Sequence, residues 1–248
     1  MTGELNTYDT ATAAAYRQAR EIPRAGLTHW RAAIERHLAP AAGACVLDLG
    51  AGTGLFTTAL ADWFGVRVLA IEPAEAMRAH IPAHPLVTVR PGDAAHIPAE
   101  DGSLDGAWLS TVIHHVPDRV AAGHELRRVL RPGAPVLIRG IFRERPLELN
   151  VLRYFPEGIR ALAGFPTVTE VRADLGVAGF EQVSLESVAQ TSAPDLGTVL
   201  GRIQQNGDTL LRGLRAEEYA AGLDRLRAAV AAGASGPIID RLDLLVLH

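Results

Sequence analysis

The chain has no lysine. All 24 of its basic residues are arginine, set against 28 acidic residues for a formal net charge of −4. No basic run stands anywhere, so an electrostatic surface for nucleic acid or anionic membrane is not expected. With the alanine-rich text, the arginine bias reads as the mark of a GC-rich coding genome rather than of a function. Cysteine is nearly absent: Cys45 alone cannot close an internal disulfide and reads as a small buried side chain. No apolar run approaches the roughly 20 residues of a membrane span, and the N-terminus lacks a leader pattern. The expectation is a cytoplasmic protein, monomer or homodimer, whose partner is a small molecule rather than nucleic acid or membrane. Metal-ligand spacing is also lacking. His80 and His84 would share a helix face, but Pro82 stands between them. His114, His115 and His124 have no evident carboxylate partners, so no metal is expected.

Two nucleotide signatures are missing. There is no Gly-Lys-Ser/Thr, which excludes a phosphate-binding P-loop. There is no G-x-G-x-x-G either, because Gly54 falls one place early after Gly50 and Gly52. What stands there instead is Val46-Leu47-Asp48-Leu49-Gly50-Ala51-Gly52-Thr53-Gly54. Its apolar run reads as a buried parallel strand. The glycines read as a turn that lets a ligand approach bare backbone. Residues 55–63 read as the following helix, with Thr53 as N-cap. A strand, a glycine turn and a helix N-terminus make a nucleotide cradle. Asp48 would repel a pyrophosphate and suits a cation. S-adenosylmethionine, with its sulfonium and α-ammonium, fits that charge.

The chain continues as alternating strands and helices. Residues 66–71 read as a strand ending at Glu72, 18 positions beyond Gly54 and near the spacing of a ribose-binding carboxylate. Pro73 is expected to open a helix reaching Met77. Residues 86–90 form a third strand, and Asp93 with Ala94 in the turn after it could meet the adenine amino group and a ring nitrogen. A fourth strand over 103–109 runs into Ser110, Thr111 and the His114-His115-Val116-Pro117-Asp118 segment. Asp118 can cap a helix over 119–130, and residues 135–140 form a fifth strand. Thr167 and Glu170 make a capping box, residues 180–188 a sixth strand, residues 195–232 two helices broken near Asn206-Gly207, and 242–247 a last strand.

This order of pieces resembles the class I S-adenosylmethionine-dependent methyltransferases, in particular the small-molecule branch with the ubiquinone/menaquinone methyltransferases. The resemblance is carried by Asp48 to Gly54, Glu72, Gly92-Asp93-Ala94, His115 to Asp118 and Leu130-Arg131-Pro132-Gly133. It spans residues 8–140, and Tyr8-Asp9 with Tyr16 to Arg20 is similar to that branch's lid helix. It implies an α/β, Rossmann-like, seven-stranded sheet, mostly parallel with an antiparallel last strand, helices on both faces and a helical cap. It further implies cofactor contacts from Asp48, Gly50, Ala51, Gly52, Glu72, Pro73, Asp93, Ala94, Ser110 and Thr111. Arg20 would pair with the cofactor carboxylate, and Tyr16 would pack over the sulfonium.

One domain over 1–248 is expected, with a helical lid over 1–40 and cap insertions over 141–166 and 192–236. In a chain only 5% aromatic, Phe142, Tyr154, Phe155 and Phe165 gather in the first insertion beside Arg143, Arg145, Arg153 and Arg160. They read either as acceptor contacts for a planar, negatively charged molecule or as a packed cap. Methyl transfer from a sulfonium is an in-line displacement, to which orientation contributes on the order of 7–11 kcal/mol. An oxygen, nitrogen or carbon acceptor can also need a base. His115 is the first candidate and His114 the second, the alternative being a loop that only shapes the next helix. A protein that binds the cofactor but redirects or lacks the transfer is the rival function.

Overall fold

A computed structural model describes residues 13, 17, 22–145 and 148–248. Tyr16 and Arg20 lie outside them, as does most of the segment similar to a lid helix; in and around it Ala13 and Arg17 are described, and both are helical. The strands are β1 (Cys45–Leu49), β2 (Arg67–Ile71), β3 (Val87–Arg90), β4 (Gly106–Ser110), β5 (Val136–Gly140), β6 (Gln182–Ala193) and β7 (Ile238–Leu247). The α-helices are α1 (Thr28–Leu38), α2 (Leu55–Phe64), α3 (Glu75–Arg78), α4 (Arg119–Val129), α5 (Asn150–Tyr154), α6 (Val168–Gly176), α7 (Leu196–Arg202), α8 (Thr209–Arg212) and α9 (Ala216–Ala231).

The strands form a seven-stranded sheet in the order β3-β2-β1-β4-β5-β7-β6. β1 to β5 run parallel, and β7 enters antiparallel between β5 and β6. The central strands are apolar on both faces because helices cover both. On one face α1 and α2 bury Trp30, Ile34, Phe56 and Leu60 against Val46, Trp108 and Leu137. On the other, α4 and α6 bury Leu126, Val171 and Leu175 against Leu47, Leu109 and Ile138. Chain connections leave in opposite directions from β1 and β4, so a crevice opens beyond their carboxyl ends.

Local chemistry moves several boundaries. Thr53 is not the N-cap of α2. Gly54 takes that position at φ 87°, with no side-chain cap. Pro73 does not open α3, whose N-cap is Ala74. β4 begins late because Leu104 makes only a bridge, to Leu130, while Asp105 turns aside to accept from the Cys45 amide at 2.7 Å. β6 runs to Ala193, beyond its expected end, because β7 pairs with it along almost its whole length. The cap beyond β6 is cut into α7, α8 and α9, with Asp195 and Asp208 accepting from Thr198 and Leu210 amides to start the first two. Asp118 caps α4, and the Thr167–Glu170 capping box starts α6 as the sequence implies.

The cap has its own core of Phe155, Leu211, Leu226 and Ile238. Gly222, in mid-α9, lies against the Phe155 ring, and a Cβ there would come 2.1 Å from Cδ1. In an exposed helix alanine is favoured over glycine by about 1 kcal/mol. Here the contact reverses the sign. Gly222→Ala should destabilise the protein by about 1–3 kcal/mol, read as a lowered urea midpoint. An unchanged or raised midpoint would show that Phe155 moves aside freely.

Candidate active site

The crevice holds a cavity of about 400 Å³, lined among others by Gly50, Gly52, Glu72, Asp93, Ser110, Thr111 and His115. Pro73 and Ala94 also lie on it. Beside it a smaller space of about 60 Å³ is enclosed by Asp48, the glycine turn with Ala51, and Ser110 and Thr111. The turns after β1, β2, β3 and β4 therefore bring the expected residues to one place. The exceptions are Tyr16 and Arg20, outside the described residues, and His114.

Gly50, Gly52 and Gly54 all have positive φ. Gly50 has a second constraint. A Cβ on it would lie 2.3 Å from Val112 Cγ2, in the loop after β4. The turn thus presents backbone to the cavity while the loop closes over it. Glu72 holds the turn from the other side. Its Oε2 accepts from the Gly52 amide at 2.9 Å and its Oε1 from the Ala74 amide at 3.0 Å. It is buried, and that burial pushes its carboxyl up, while the two amides pull it back. A carboxylate has about four acceptor sites, so Glu72 can keep both amides and still receive a pair of ligand hydroxyls.

Asp48 is 1% exposed, and Thr57 from α2 donates to its Oδ2 at 2.5 Å. Burial first, and the nearby Glu72 charge as well, push its carboxyl up to about 7, against the Thr57 hydrogen bond. Asp93 sits in the turn after β3, where its Oδ1 accepts from the amides of Ala95 and His96 at 2.8 and 2.9 Å. Thr111 ends β4 at φ 52°, an uncommon conformation for a residue with a Cβ. Its amide donates to the Arg139 carbonyl and its hydroxyl to the Ser110 carbonyl, which hold it there.

The rings of His114 and His115 pack together, centroids 4.0 Å apart. His115 lines the large cavity, with its amide bonded to the Val112 carbonyl at 2.7 Å. His114 stacks on Phe165, ring centroids 4.0 Å apart and planes 10° from parallel. The aromatics of 141–166 belong mainly to packing: Phe142, Phe155 and Phe165 are buried. The arginines beside them pair within the protein, Arg143 with Glu170, Arg145 with Asp243 and Arg160 with Glu218. Both observations favour the packed cap over contacts to a negative planar acceptor. His84, once considered for metal, accepts from the Leu86 amide and lies 3.2 Å from Asp62. Among the described residues no three His, Cys, Asp or Glu are grouped to hold a metal ion.

Sequence reasoning missed Thr57 and Arg139. Thr57 looks like any small residue of an amphipathic helix. Arg139 carried a readable signal, a charge inside the apolar run Val136 to Gly140.

The residues fit S-adenosylmethionine: a buried acid for its cationic end, a bare glycine turn, and acids after β2 and β3 for ribose and adenine. The raised carboxyl of Asp48 has a sign that can be checked. A group protonated in the fold but ionised when unfolded stabilises at low pH. The ligand-free protein should therefore lose stability as pH rises from about 4 to about 7, and Asp48→Asn should flatten that loss in urea midpoints. Equal slopes would refute it. A ligand ammonium favours ionised Asp48, so affinity for S-adenosylhomocysteine should rise with pH through 7 in the parent and less in Asp48→Asn. Glu72→Gln would turn an NH₂ toward an amide N–H, and calorimetry should find binding weaker by about 1–3 kcal/mol.

Residues 47–138 match the methyltransferase domain family. A 27-O-demethylrifamycin SV methyltransferase of Amycolatopsis mediterranei is 29% identical over 198 residues, spanning 75% of this chain and 72% of that protein. A demethylmenaquinone methyltransferase of Clavibacter sepedonicus is 36% identical over 113 residues, and the match spans 44% of this chain and under half, 46%, of that one. Among solved structures, an Anabaena variabilis protein described as a methyltransferase from an antibiotic biosynthesis pathway superposes with a TM-score of 0.69 at 21% identity, covering 92% of this chain and 98% of that chain. A Haemonchus contortus phosphoethanolamine N-methyltransferase, solved with S-adenosylhomocysteine, has a TM-score of 0.63 at 19% identity over 98% of this chain and 58% of that one. The [4+2]-cyclase SpnF has a TM-score of 0.61 at 17% identity, covering 93% and 84%. The sheet order, the crevice and these likenesses agree: residues 47–138 form a methyltransferase domain, and the chain has the fold of the class I S-adenosylmethionine-dependent methyltransferases.

Proposed function

We propose that this enzyme methylates an oxygen, nitrogen or carbon atom of a small molecule of specialised metabolism. The observation that carries the reading is the large cavity itself, which has Glu72 and Asp93 on one side and Thr111 and His115 on the other. S-adenosylmethionine, when bound, supplies a methyl group already activated on sulfur. The protein's task is then to orient and to exclude water. Asp48 and the glycine turn hold the charged end, and Glu72 and Asp93 hold the nucleoside. His115 is proposed to take the acceptor's proton, its imidazole being able to exchange one near neutral pH.

The acceptor is proposed to enter beneath the cap. A further cavity of about 120 Å³ lies there, lined by Ile141, Leu149, Leu211, Gln190, Ser192 and Asp240. The 141–166 and 192–236 segments would select the acceptor. The lid is proposed to be the part of 1–40 before α1, since Trp30, Ile34 and Leu38 of α1 are buried in the main core. A cytoplasmic location remains the reading, and among the described residues no helix is long and apolar enough to cross a membrane.

The likeness to SpnF, named for a cyclisation, favours one rival: a cofactor-binding protein whose reaction is not methyl transfer. The test is a panel of phenolic, amine and enolisable acceptors with S-adenosylmethionine, read as release of S-adenosylhomocysteine. Release that depends on an acceptor supports methyl transfer. Tight cofactor binding with no release across the panel supports the rival. With a productive acceptor, His115→Gln should lower kcat about 100-fold and leave S-adenosylhomocysteine affinity within threefold. An unchanged kcat would make His115 a loop residue.

A further inference from the structure

Arg139 places its side chain beside the crevice. It sits in β5 at 4% exposure, a cation in a strand whose other side chains are apolar. Its side chain lies near the rings of Trp30 and Phe56, 5.0 and 5.3 Å from their centroids. Nη1 donates to Ser110 Oγ at 3.1 Å and Nη2 to Gln190 Oε1 at 2.5 Å. Gln190 is itself fixed. Its Oε1 also accepts from Trp30 Nε1, and its Nε2 donates to Ser192 Oγ, which donates to Asp240. These contacts hold the guanidinium in one orientation.

That orientation matters because Arg139 lines the small 60 Å³ space together with Asp48 and the glycine turn. The space is lined by both a buried acid and a buried cation. An α-amino acid head group has the matching pair, an ammonium and a carboxylate. The nucleoside residues Glu72 and Asp93 line the adjoining cavity and not this one. We propose that Arg139 binds the α-carboxylate of the cofactor's methionine portion, opposite Asp48 at its ammonium. Arginine suits this because its planar fork gives paired, charge-assisted hydrogen bonds to a carboxylate. The aromatic rings and Gln190 keep the fork in place before the ligand arrives. The role is one that the family resemblance had implied for Arg20.

The inference rests on the cofactor reading, and two ligands separate them. S-adenosylhomocysteine has the amino acid head, whereas 5′-methylthioadenosine has the nucleoside and thioether without it. Calorimetry on the full chain should show Arg139→Gln weakening S-adenosylhomocysteine by about 10- to 100-fold, with 5′-methylthioadenosine within twofold. Arg139→Lys, which keeps the charge and serves should the glutamine variant not fold, should give a smaller loss with the same selectivity. Decarboxylated S-adenosylhomocysteine, which keeps the ammonium, should bind parent and variants alike. Equal losses for both ligands would make Arg139 a structural residue and overturn the inference. So would unchanged binding, or a selective loss that appears with Arg20→Gln but not with Arg139→Gln. Failure of the parent to bind S-adenosylhomocysteine at all would instead overturn the cofactor reading.

Discussion

Glu72 ties the turn after β1 to the turn after β2, one carboxylate oxygen on the Gly52 amide and the other on the Ala74 amide. The rest of the crevice depends on that clamp. Without it, glycines with positive φ have no reason to hold one shape. With it, the turn is fixed from β2 on one side and packed by Val112 from β4 on the other. Burying a carboxylate is costly unless it is hydrogen-bonded. The cost is offset here by groups that also need partners, since the amides of a helix start and a tight turn are otherwise orphaned. One interaction thereby satisfies the backbone and orders a ligand site.

The site is built from charges placed where water is scarce. Asp48, Glu72 and Arg139 are all buried, and Asp48 and Arg139 line the same small space. Burial pushes both carboxyls up, and the nearby Glu72 charge adds to the rise at Asp48. A cationic ligand relieves that strain. The hydrogen-bond chain from Arg139 through Gln190 and Ser192 to Asp240 leads from the cofactor side to the cavity under the cap. Ile22 borders both of these spaces.

Much of this was legible in the order of residues. The parallel strands were readable because covered strands are continuous apolar runs, and the glycine turn because few residues accept positive φ. Asp118 and the Thr167–Glu170 pair were readable because capping is local. Cap boundaries were harder: Asp195 and Asp208 each start a separate short helix, and apolar spacing alone does not reveal where one stops. The aromatics of 141–166 allowed two readings because an exposed contact and a buried core ask for the same side chains. Burial of Phe142, Phe155 and Phe165 separates them.

The sequence by itself determined the fold class, the cofactor's chemical character and the acids that line the crevice, because each follows from a short stretch with its own geometry. The tertiary structure decided what depends on distant residues meeting. It took Thr57 to reach Asp48, Phe165 to stack on His114, and Gln190 to hold Arg139. Those partners lie 9, 51 and 51 positions apart in the chain. No local pattern encodes such contacts, since they arise only when helices, cap and sheet pack together.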